Sequence, residues 1–204
     1  MSSYLAGLER GDEVEVRGPM VEYALTEGDR RGETDVLFLA GGTGVSSALQ
    51  AVHCFLEEGG EDRVRILWAN RRREDCVGAP RLAKKGLMGG LFGGGEEQEG
   101  VEEPANAIVR EIRELQAKYP GRVEVQYFVD EEGTFITSNA IREATRVVDG
   151  QEGRRKLLMA SGPDGFMEHF VGKKGDWLGT QQQQGQIGGV VKSLGLKQWE
   201  VVKL

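Results

Sequence analysis

The feature that most constrains the fold is an alternation of short apolar runs and helical patterns from residue 35 onward. Residues 36–40 are continuously apolar and are followed by glycines, as in a strand buried on both faces of a parallel sheet. The next segment places Val45, Leu49, Val52 and Leu56 on one helical face, and a glycine pair ends it. Because parallel strands need crossover connections, this order predicts helices packed on a parallel sheet.

The same alternation continues to the end of the chain. Further strands are predicted at 64–69, 123–129, 157–160 and 199–204. Helices are predicted between them at 104–118, at 139–148 and from 165 onward. The sequence therefore predicts an α/β fold with a five-stranded parallel sheet flanked by helices. In such folds ligands bind at the carboxyl ends of the strands.

Composition and charge argue against several classes of protein. Lys and Arg number 26 against 33 Asp and Glu, a net charge of −7 without a basic face, which disfavours a nucleic-acid binder. The longest purely apolar runs are about five residues, and roughly 20 are needed to span a bilayer. Cys54 and Cys76 form neither a disulfide framework nor a metal set. His53 and His169 fall on predicted helices without an evident partner, so hydrolytic catalysis has little support.

Residues 86–100 interrupt the alternation. The segment is about half glycine and then acidic, so it buries too little apolar surface to offset the entropy of ordering it. It is predicted to be a mobile surface insert. Alternatively, Leu87, Met88, Leu91 and Phe92 form a segment that binds a partner.

The strongest local motif lies between the first buried strand and its helix. Gly41, Gly42 and Gly44 allow close approach of a phosphate, and the helix N-terminus offers free N–H groups. Thr43 and Ser46 add hydroxyl donors. No Gly-Lys-Ser/Thr follows, so the loop is not a Walker A motif, and a serine replaces the third glycine of G-x-G-x-x-G. A tight turn without a ligand remains the alternative.

Two other segments occupy comparable positions after predicted strands. Residues 161–163 form a second glycine turn, which on a parallel strand of the same sheet would face the same crevice, or would simply start a helix. Residues 70–75 lie where dinucleotide folds read the adenosine ribose. There Asp75 suits a free 2′-hydroxyl and arginines suit a 2′-phosphate, although such a charged run also fits a solvated loop.

Together these motifs resemble the ferredoxin–NADP reductase superfamily, nearest its NADH–cytochrome b5 reductase branch. Residues 41–44 are similar to the G-G-T-G pyrophosphate loop. Residues 68–75 are similar to F-A-N-x-x-x-x-D, in which the final acid favours NADH. Residues 161–163 look like the C-G-P-P nicotinamide turn, with Ser161 in place of the cysteine and Asp164 in place of the second proline.

The resemblance implies cofactor-binding roles at all three segments. The pyrophosphate of NAD(P)H would be held by Gly41, Gly42, Thr43, Gly44 and Ser46. The adenosine end would be held by Asn70, Arg71 and Asp75, and the nicotinamide end by Gly162 and Pro163. Ser161 is the implied catalytic residue.

The beginning of the chain resembles the end of a flavin-binding domain. Residues 1–5, 11–12 and 17–19 are similar to G-x-M-S-x-Y-L…G-D…R-G-P, whose Met-Ser pair closes on the FAD pyrophosphate. The resemblance implies that Ser2 and Ser3 contact FAD. Residues 1–23 are then the C-terminal remnant of a flavin domain, and residues 24–204 are an NAD(P)H-binding domain with an insert at 86–100.

The implied intact protein passes hydride from NAD(P)H, with NADH favoured, to FAD and then electrons to a haem or haem-protein acceptor. This chain alone is expected to be inactive and to bind no nucleic acid. Its end looks most like a mitochondrial flavoprotein group linked to cytochrome c maturation, which implies a mitochondrial location. The alternative is a nucleotide-binding or protein-interaction domain without redox activity.

Overall fold

The computed structural model describes residues 4, 7–15, 24, 33–57, 60–81, 104–149, 153–178 and 181–204. The strands are β1 (Thr34–Gly41), β2 (Arg63–Asn70), β3 (Val123–Val129), β4 (Arg155–Ser161), β5 (Trp177–Leu178), β6 (Gln181–Gln182) and β7 (Glu200–Lys203). The helices are α1 (Val45–Leu56), α2 (Ala107–Lys118), α3 (Ser138–Asp149), α4 (Asp164–Phe170) and α5 (Gly189–Leu194).

Five strands form one parallel sheet in the order β3-β2-β1-β4-β7. The apolar run of β1 lies at the centre, and every residue of that strand is buried. The chain adds β2 and β3 on one side of β1, and then β4 and β7 on the other. The strand order therefore reverses between β1 and β4, where α/β sheets open a crevice at their carboxyl ends.

Helices cover both faces of the sheet, because successive strand residues point to opposite sides. Val36 and Phe38 pack in the core formed with α1 and α2. Leu37 and Leu39 pack in the core formed with α3, α4 and α5. This arrangement confirms the predicted five-stranded parallel α/β fold.

Buried charges join the strands at the amino edge of the sheet. Arg154 Nε donates to Asp35 Oδ2 at 2.7 Å, and both side chains are nearly inaccessible to solvent. The backbone N–H of Thr34 donates to Asp62 Oδ1 at 2.6 Å. Burial raises the pKa of Asp62 above its ordinary value. These contacts hold the starts of β1, β2 and β4 together, at the opposite edge from the crevice.

A few elements differ from the sequence-based expectation. The β5–β6 pair and helix α5 were not predicted, and Trp199 precedes β7 rather than beginning it. Most of residues 1–23 and the whole of 86–100 lie outside the described residues, so the domain boundary and the insert stay predictions. Within the described part, no helix is long and apolar enough to cross a membrane.

Candidate functional site

Two glycine turns meet at the crevice between β1 and β4. The first glycine turn is 41–44 and the second is 161–163; together they are the turn pair. A Cβ added to Gly44 would lie 2.1 Å from the carbonyl oxygen of Ser161. A Cβ added to Gly162 would lie 3.1 Å from the Cα of Gly41. The two backbones therefore touch directly, which glycine permits.

The exposed side of the first turn offers space for a ligand. Gly42 has φ +53°, and a Cβ built there would meet nothing within 4 Å. Glycine at position 42 is needed because the backbone there has a positive φ. Glycine at position 44 is needed because a side chain would prevent the contact between the two turns. Thr43 and Ser46 are both exposed beside Gly42. Hydroxyls and backbone N–H groups consequently line an open, glycine-walled surface.

Helix α1 begins at this surface without a side-chain cap. Its N-cap, Gly44, makes no side-chain hydrogen bond, and its first turn holds no acidic residue. By contrast, Asn106 Oδ1 accepts from the Val109 N–H at α2, and Thr137 Oγ1 accepts from the Ala140 N–H at α3. The N–H of Val45 donates to the carbonyls of Gly42 and Thr43, so an anion at this turn would be met by the N–H groups that precede Val45. The residues fit the pyrophosphate of a dinucleotide.

Trp68 positions the first turn, a role that was not predicted from the sequence. Its indole Nε1 donates to the carbonyl of Gly42 at 2.9 Å. The ring is 1% exposed and packs against Tyr127 at a centroid distance of 5.7 Å. A buried tryptophan needs an acceptor for its N–H. In the sequence, the glycine turn at the end of the neighbouring strand is the signal for where that acceptor lies.

The loop after β2 contains three arginines with different surroundings. Arg73 Nε donates to Glu132 Oε1 at 2.8 Å, and the guanidinium forms a second bond to the same carboxylate. This hydrogen-bonded pair raises the pKa of Arg73. Arg71 and Arg72 are exposed, and the N–H of Arg72 donates to Asp75 Oδ2 at 3.2 Å. Arg71 and Arg72 therefore fit the interpretation of this run as a solvated loop, whereas Arg73 does not.

An acidic turn from the next strand lies against this loop. Glu131 Oε1 accepts from the N–H of Arg73 at 2.6 Å, and the N–H of Glu131 donates to the carbonyl of Arg71 at 3.2 Å. Asp130 is exposed beside Glu131. The acidic triplet that directly follows β3 is the sequence signal for this turn, which was not predicted.

Asn70 ends β2 with an unusual environment. The residue is 2% exposed, and neither Oδ1 nor Nδ2 has a hydrogen-bond partner among the described residues. Leaving such a group unpaired costs about 1–3 kcal/mol. An amide placed this way at the carboxyl edge fits a ligand that supplies the missing bonds.

The second turn borders an open cavity of about 470 Å³. Its lining includes Gly162, Met167, Lys174 and Leu204. Ser161 is half-buried, and its Oγ lies 3.3 Å from Ser47 Oγ, within hydrogen-bond distance. The carbonyl of Pro163 accepts from the N–H groups of Phe166 and Met167 in α4. The structure thus brings the three predicted segments to one edge of the sheet.

Other sequence candidates lie elsewhere. Ser2 and Ser3 fall outside the described residues. Cys76 is buried, and burial raises its thiol pKa. His53 does have partners, contrary to expectation, because its Nδ1 lies 3.0 Å from Glu57 and its Nε2 lies 3.5 Å from Glu111. This group lies on the exposed side of α1 and α2, away from the turn pair.

Known proteins resemble the chain over nearly its whole length. NADH-cytochrome b5 reductase 2 of Kluyveromyces lactis is 24% identical over 211 residues, covering 99% of this chain and 57% of that protein. An NADH-cytochrome b5 reductase-like protein of Arabidopsis thaliana is 23% identical, covering 100% of this chain and 52% of that protein. Nitrate reductase (NADH) 2 of the same plant is 28% identical over 84% of this chain and 17% of its own length. No protein-family model matches.

A solved structure shares the fold. Ferredoxin-NADP+ reductase from Plasmodium falciparum with 2′P-AMP superposes with a TM-score of 0.53 and 13% identity, covering 98% of this chain and 64% of that one. The chain is thus similar in sequence to NADH-cytochrome b5 reductases and shares its fold with a ferredoxin-NADP+ reductase. It spans a little over half the length of the two reductases it matches. The roles of the individual site residues stay predictions.

Proposed function

We propose that this chain is the NAD(P)H-binding part of an FAD-dependent oxidoreductase. The intact protein would pass hydride from the nicotinamide nucleotide to the flavin, and electrons onward to a haem or haem-protein acceptor. The observation that carries the proposal is the turn pair, set beside the uncapped N-terminus of α1 at the strand-order reversal. Relatives named as NADH-cytochrome b5 reductases support it.

Each of the three segments at the crevice binds a different part of the nucleotide. Backbone N–H groups of the first turn, 41–44, bind the pyrophosphate, and the hydroxyls of Thr43 and Ser46 add donors. Asn70 and the loop after it hold the adenosine end. Ser161 and the second turn hold the nicotinamide. Flavin, when bound, supplies the hydride-accepting chemistry, and the protein supplies orientation.

We propose that NADH is preferred over NADPH. Asp75, Asp130 and Glu131 place three carboxylates around the loop, and the exposed Arg71 and Arg72 are the opposing charges. A 2′-phosphate would meet repulsion from these carboxylates, although an arginine aimed at it would form charge-assisted bonds.

Calorimetric titration of the chain with NADH and NADPH tests this preference. Tighter binding of NADPH that is lost in Arg71→Ala contradicts the proposal. Arg146→Ala is the matched control, because Arg146 is exposed in the last turn of α3.

Nucleotide binding itself is tested by Ser46→Asp. The new carboxylate would sit in the first turn of α1, where it stabilises the helix by about 0.3–1 kcal/mol but repels a pyrophosphate. We expect at least tenfold weaker NADH binding with an unchanged or raised melting temperature. Ser138→Asp makes the same charge change at the start of α3 and should leave binding intact. A chain that binds no nicotinamide nucleotide would instead favour an interaction domain without redox activity.

The redox half of the proposal needs the flavin-binding part. We propose that Ser2 and Ser3 contact FAD in a longer protein, and that the location is mitochondrial. The chain alone should bind NADH weakly and reduce no ferricyanide, because none of its side chains accepts a hydride. A longer protein that includes the upstream flavin-binding sequence should be yellow and active. A colourless, inactive longer protein would refute the oxidoreductase proposal.

A further inference from the structure

Lys203 is a buried cation that joins two parts of the chain at the edge of the sheet. The residue is 2% exposed, and its ammonium donates to the carbonyls of Lys173 at 2.7 Å and Gln186 at 2.8 Å. These two carbonyls flank the segment that contains β5 and β6. Its described residues, 173–178 and 181–186, are called the β5–β6 arm. Lys203 therefore connects both ends of the arm to β7.

A glutamine of the arm bonds the backbone of the same residue. The N–H of Lys203 donates to Gln184 Oε1 at 2.6 Å, and Gln184 Nε2 donates to the carbonyl of Lys203 at 3.0 Å. The side-chain amide thus takes the place of a further strand at the outer edge of β7. Four hydrogen bonds between the arm and β7 therefore meet at one residue.

The described side chains of the arm add little apolar contact. None of residues 173–176 and 182–186 is buried, and none belongs to either hydrophobic core. Lys173 Nζ lies 3.4 Å from Glu168 Oε1 in α4, but both side chains are exposed, and such ion pairs stabilise weakly. Segments with few buried apolar contacts open locally while the rest of a protein stays folded.

Glycines form the base of the arm. A Cβ added to Gly172 would lie 2.8 Å from the backbone nitrogen of Gly188, and one added to Gly185 would lie 2.7 Å from that of Gly175. Gly172 and Gly185 have φ +84° and +64°. A base made of glycine backbone can rotate by small changes in φ and ψ.

The arm forms one wall of the cavity of about 470 Å³ beside the second turn. Lys173, Lys174 and Gln182 line it from the arm, and Met167 lines it from α4. Burial lowers the pKa of Lys203, so the charged side chain regains favourable hydration when the arm moves away. The hydrogen bonds that close the arm are thus opposed by the cost of burying the ammonium.

We propose that the β5–β6 arm is a flap that opens and closes this cavity, and that Lys203 holds it closed. The inference does not depend on the proposed function, because it requires no nucleotide.

Limited trypsin digestion of the folded chain tests the role of Lys203, with the cleavage products identified by mass spectrometry. Lys203→Met keeps a long side chain that cannot bond the two carbonyls. Cleavage after Lys173 and Lys174 should be about tenfold faster, because it follows the population of the locally opened state. Gln184→Ala removes the other two bonds at an exposed position and should also speed cleavage, which keeps the test valid if Lys203→Met does not fold. Lys197→Met, at an exposed position, is the matched control and should change nothing.

Oxidation of Met167 tests whether the arm closes the cavity. Hydrogen peroxide transfers one oxygen atom to a methionine thioether, giving the sulfoxide and water. Met167 is 6% exposed at the cavity, whereas Met159 is 2% exposed within β4. In Lys203→Met and Gln184→Ala, Met167 should be oxidised faster by a factor similar to that for cleavage, and Met159 at an unchanged rate.

Three results would overturn the inference. Equal cleavage rates in the unaltered chain and in both variants would mean that these bonds do not hold the arm. Faster cleavage with equally faster oxidation of Met159 would mean that Lys203 stabilises the whole fold. Faster cleavage with unchanged oxidation of Met167 would mean that the arm opens without uncovering the cavity.

Discussion

Replacing Gly44 by alanine tests whether the two glycine turns are held in contact. Gly44 has φ −58°, which alanine adopts without strain, so the effect on the folded state is one of space. The new Cβ would lie 2.1 Å from the carbonyl oxygen and 2.5 Å from the carbonyl carbon of Ser161. Both are backbone atoms, and no flexible side chain can move aside.

The magnitude follows from how the two turns are anchored. Removing the overlap requires the turns to separate by about 1 Å, although the pairing of Ala40 with Ser161 holds β1 and β4 together beneath them. Overpacking costs about 1–3 kcal/mol, and backbone contacts put Gly44→Ala at the upper end. The lower entropy of the unfolded alanine chain offsets about 0.4–1 kcal/mol. The net loss is about 2 kcal/mol, or roughly 4–8 °C in melting temperature.

Gly42→Ala provides the matched comparison. There a Cβ meets open space, but φ is +53°, so the loss comes from backbone conformation and is about 1 kcal/mol. Urea unfolding gives the stabilities, and calorimetry with NADH gives the affinities. Gly44→Ala should be the less stable variant and should bind NADH at least tenfold more weakly than the unaltered chain. A Gly44→Ala chain with unchanged stability and affinity would refute the contact between the turns.

Three further predictions concern other parts of the fold. Trp68→Phe removes the bond to Gly42, whose carbonyl keeps a second donor, so we expect about 1 kcal/mol lower stability in urea and a few-fold weaker NADH binding. Arg154→Ala leaves Asp35 buried and unpaired and should lower stability by about 3–5 kcal/mol in urea while the folded fraction still binds NADH; a loss below 1 kcal/mol would contradict this. Burial raises the pKa of Tyr127 from 10.0 to about 12, so its contribution to stability is complete below pH 10 and is lost as the pH rises toward 12. Unfolding at several pH values should show a decline of about 2 kcal/mol that Tyr127→Phe removes, and an equal decline in both proteins would count against it.

The sheet was predictable because its signals are local. An uninterrupted apolar run can be satisfied only where both faces are covered, and β1 is indeed buried throughout. The meeting of the two glycine turns was also predictable, because strands of one parallel sheet present their carboxyl ends at the same edge. The resemblance to known reductases rested on the same short motifs.

The missed residues act through partners far along the chain. The sequence alone does not distinguish Arg73 from Arg71 and Arg72. What distinguishes Arg73 is its hydrogen bond to the carboxylate of Glu132, 59 residues later. Trp68 was noticed only as part of a motif, and its bond to Gly42 depends on the neighbouring strand. Helix α5 is short, and the packing of Val191 against the sheet holds it rather than its own periodicity.

The sequence by itself determined the alternating strands and helices, the parallel sheet and the edge at which a ligand would bind. These properties depend on backbone chemistry and on the spacing of apolar residues within a few turns. Tertiary structure alone decided which arginine is paired with a carboxylate, which carboxylates surround the loop after β2, and that Ser47 meets Ser161. A side-chain hydrogen bond depends on positions within a few tenths of an ångström. Such positions are set only when strands distant in sequence are packed together.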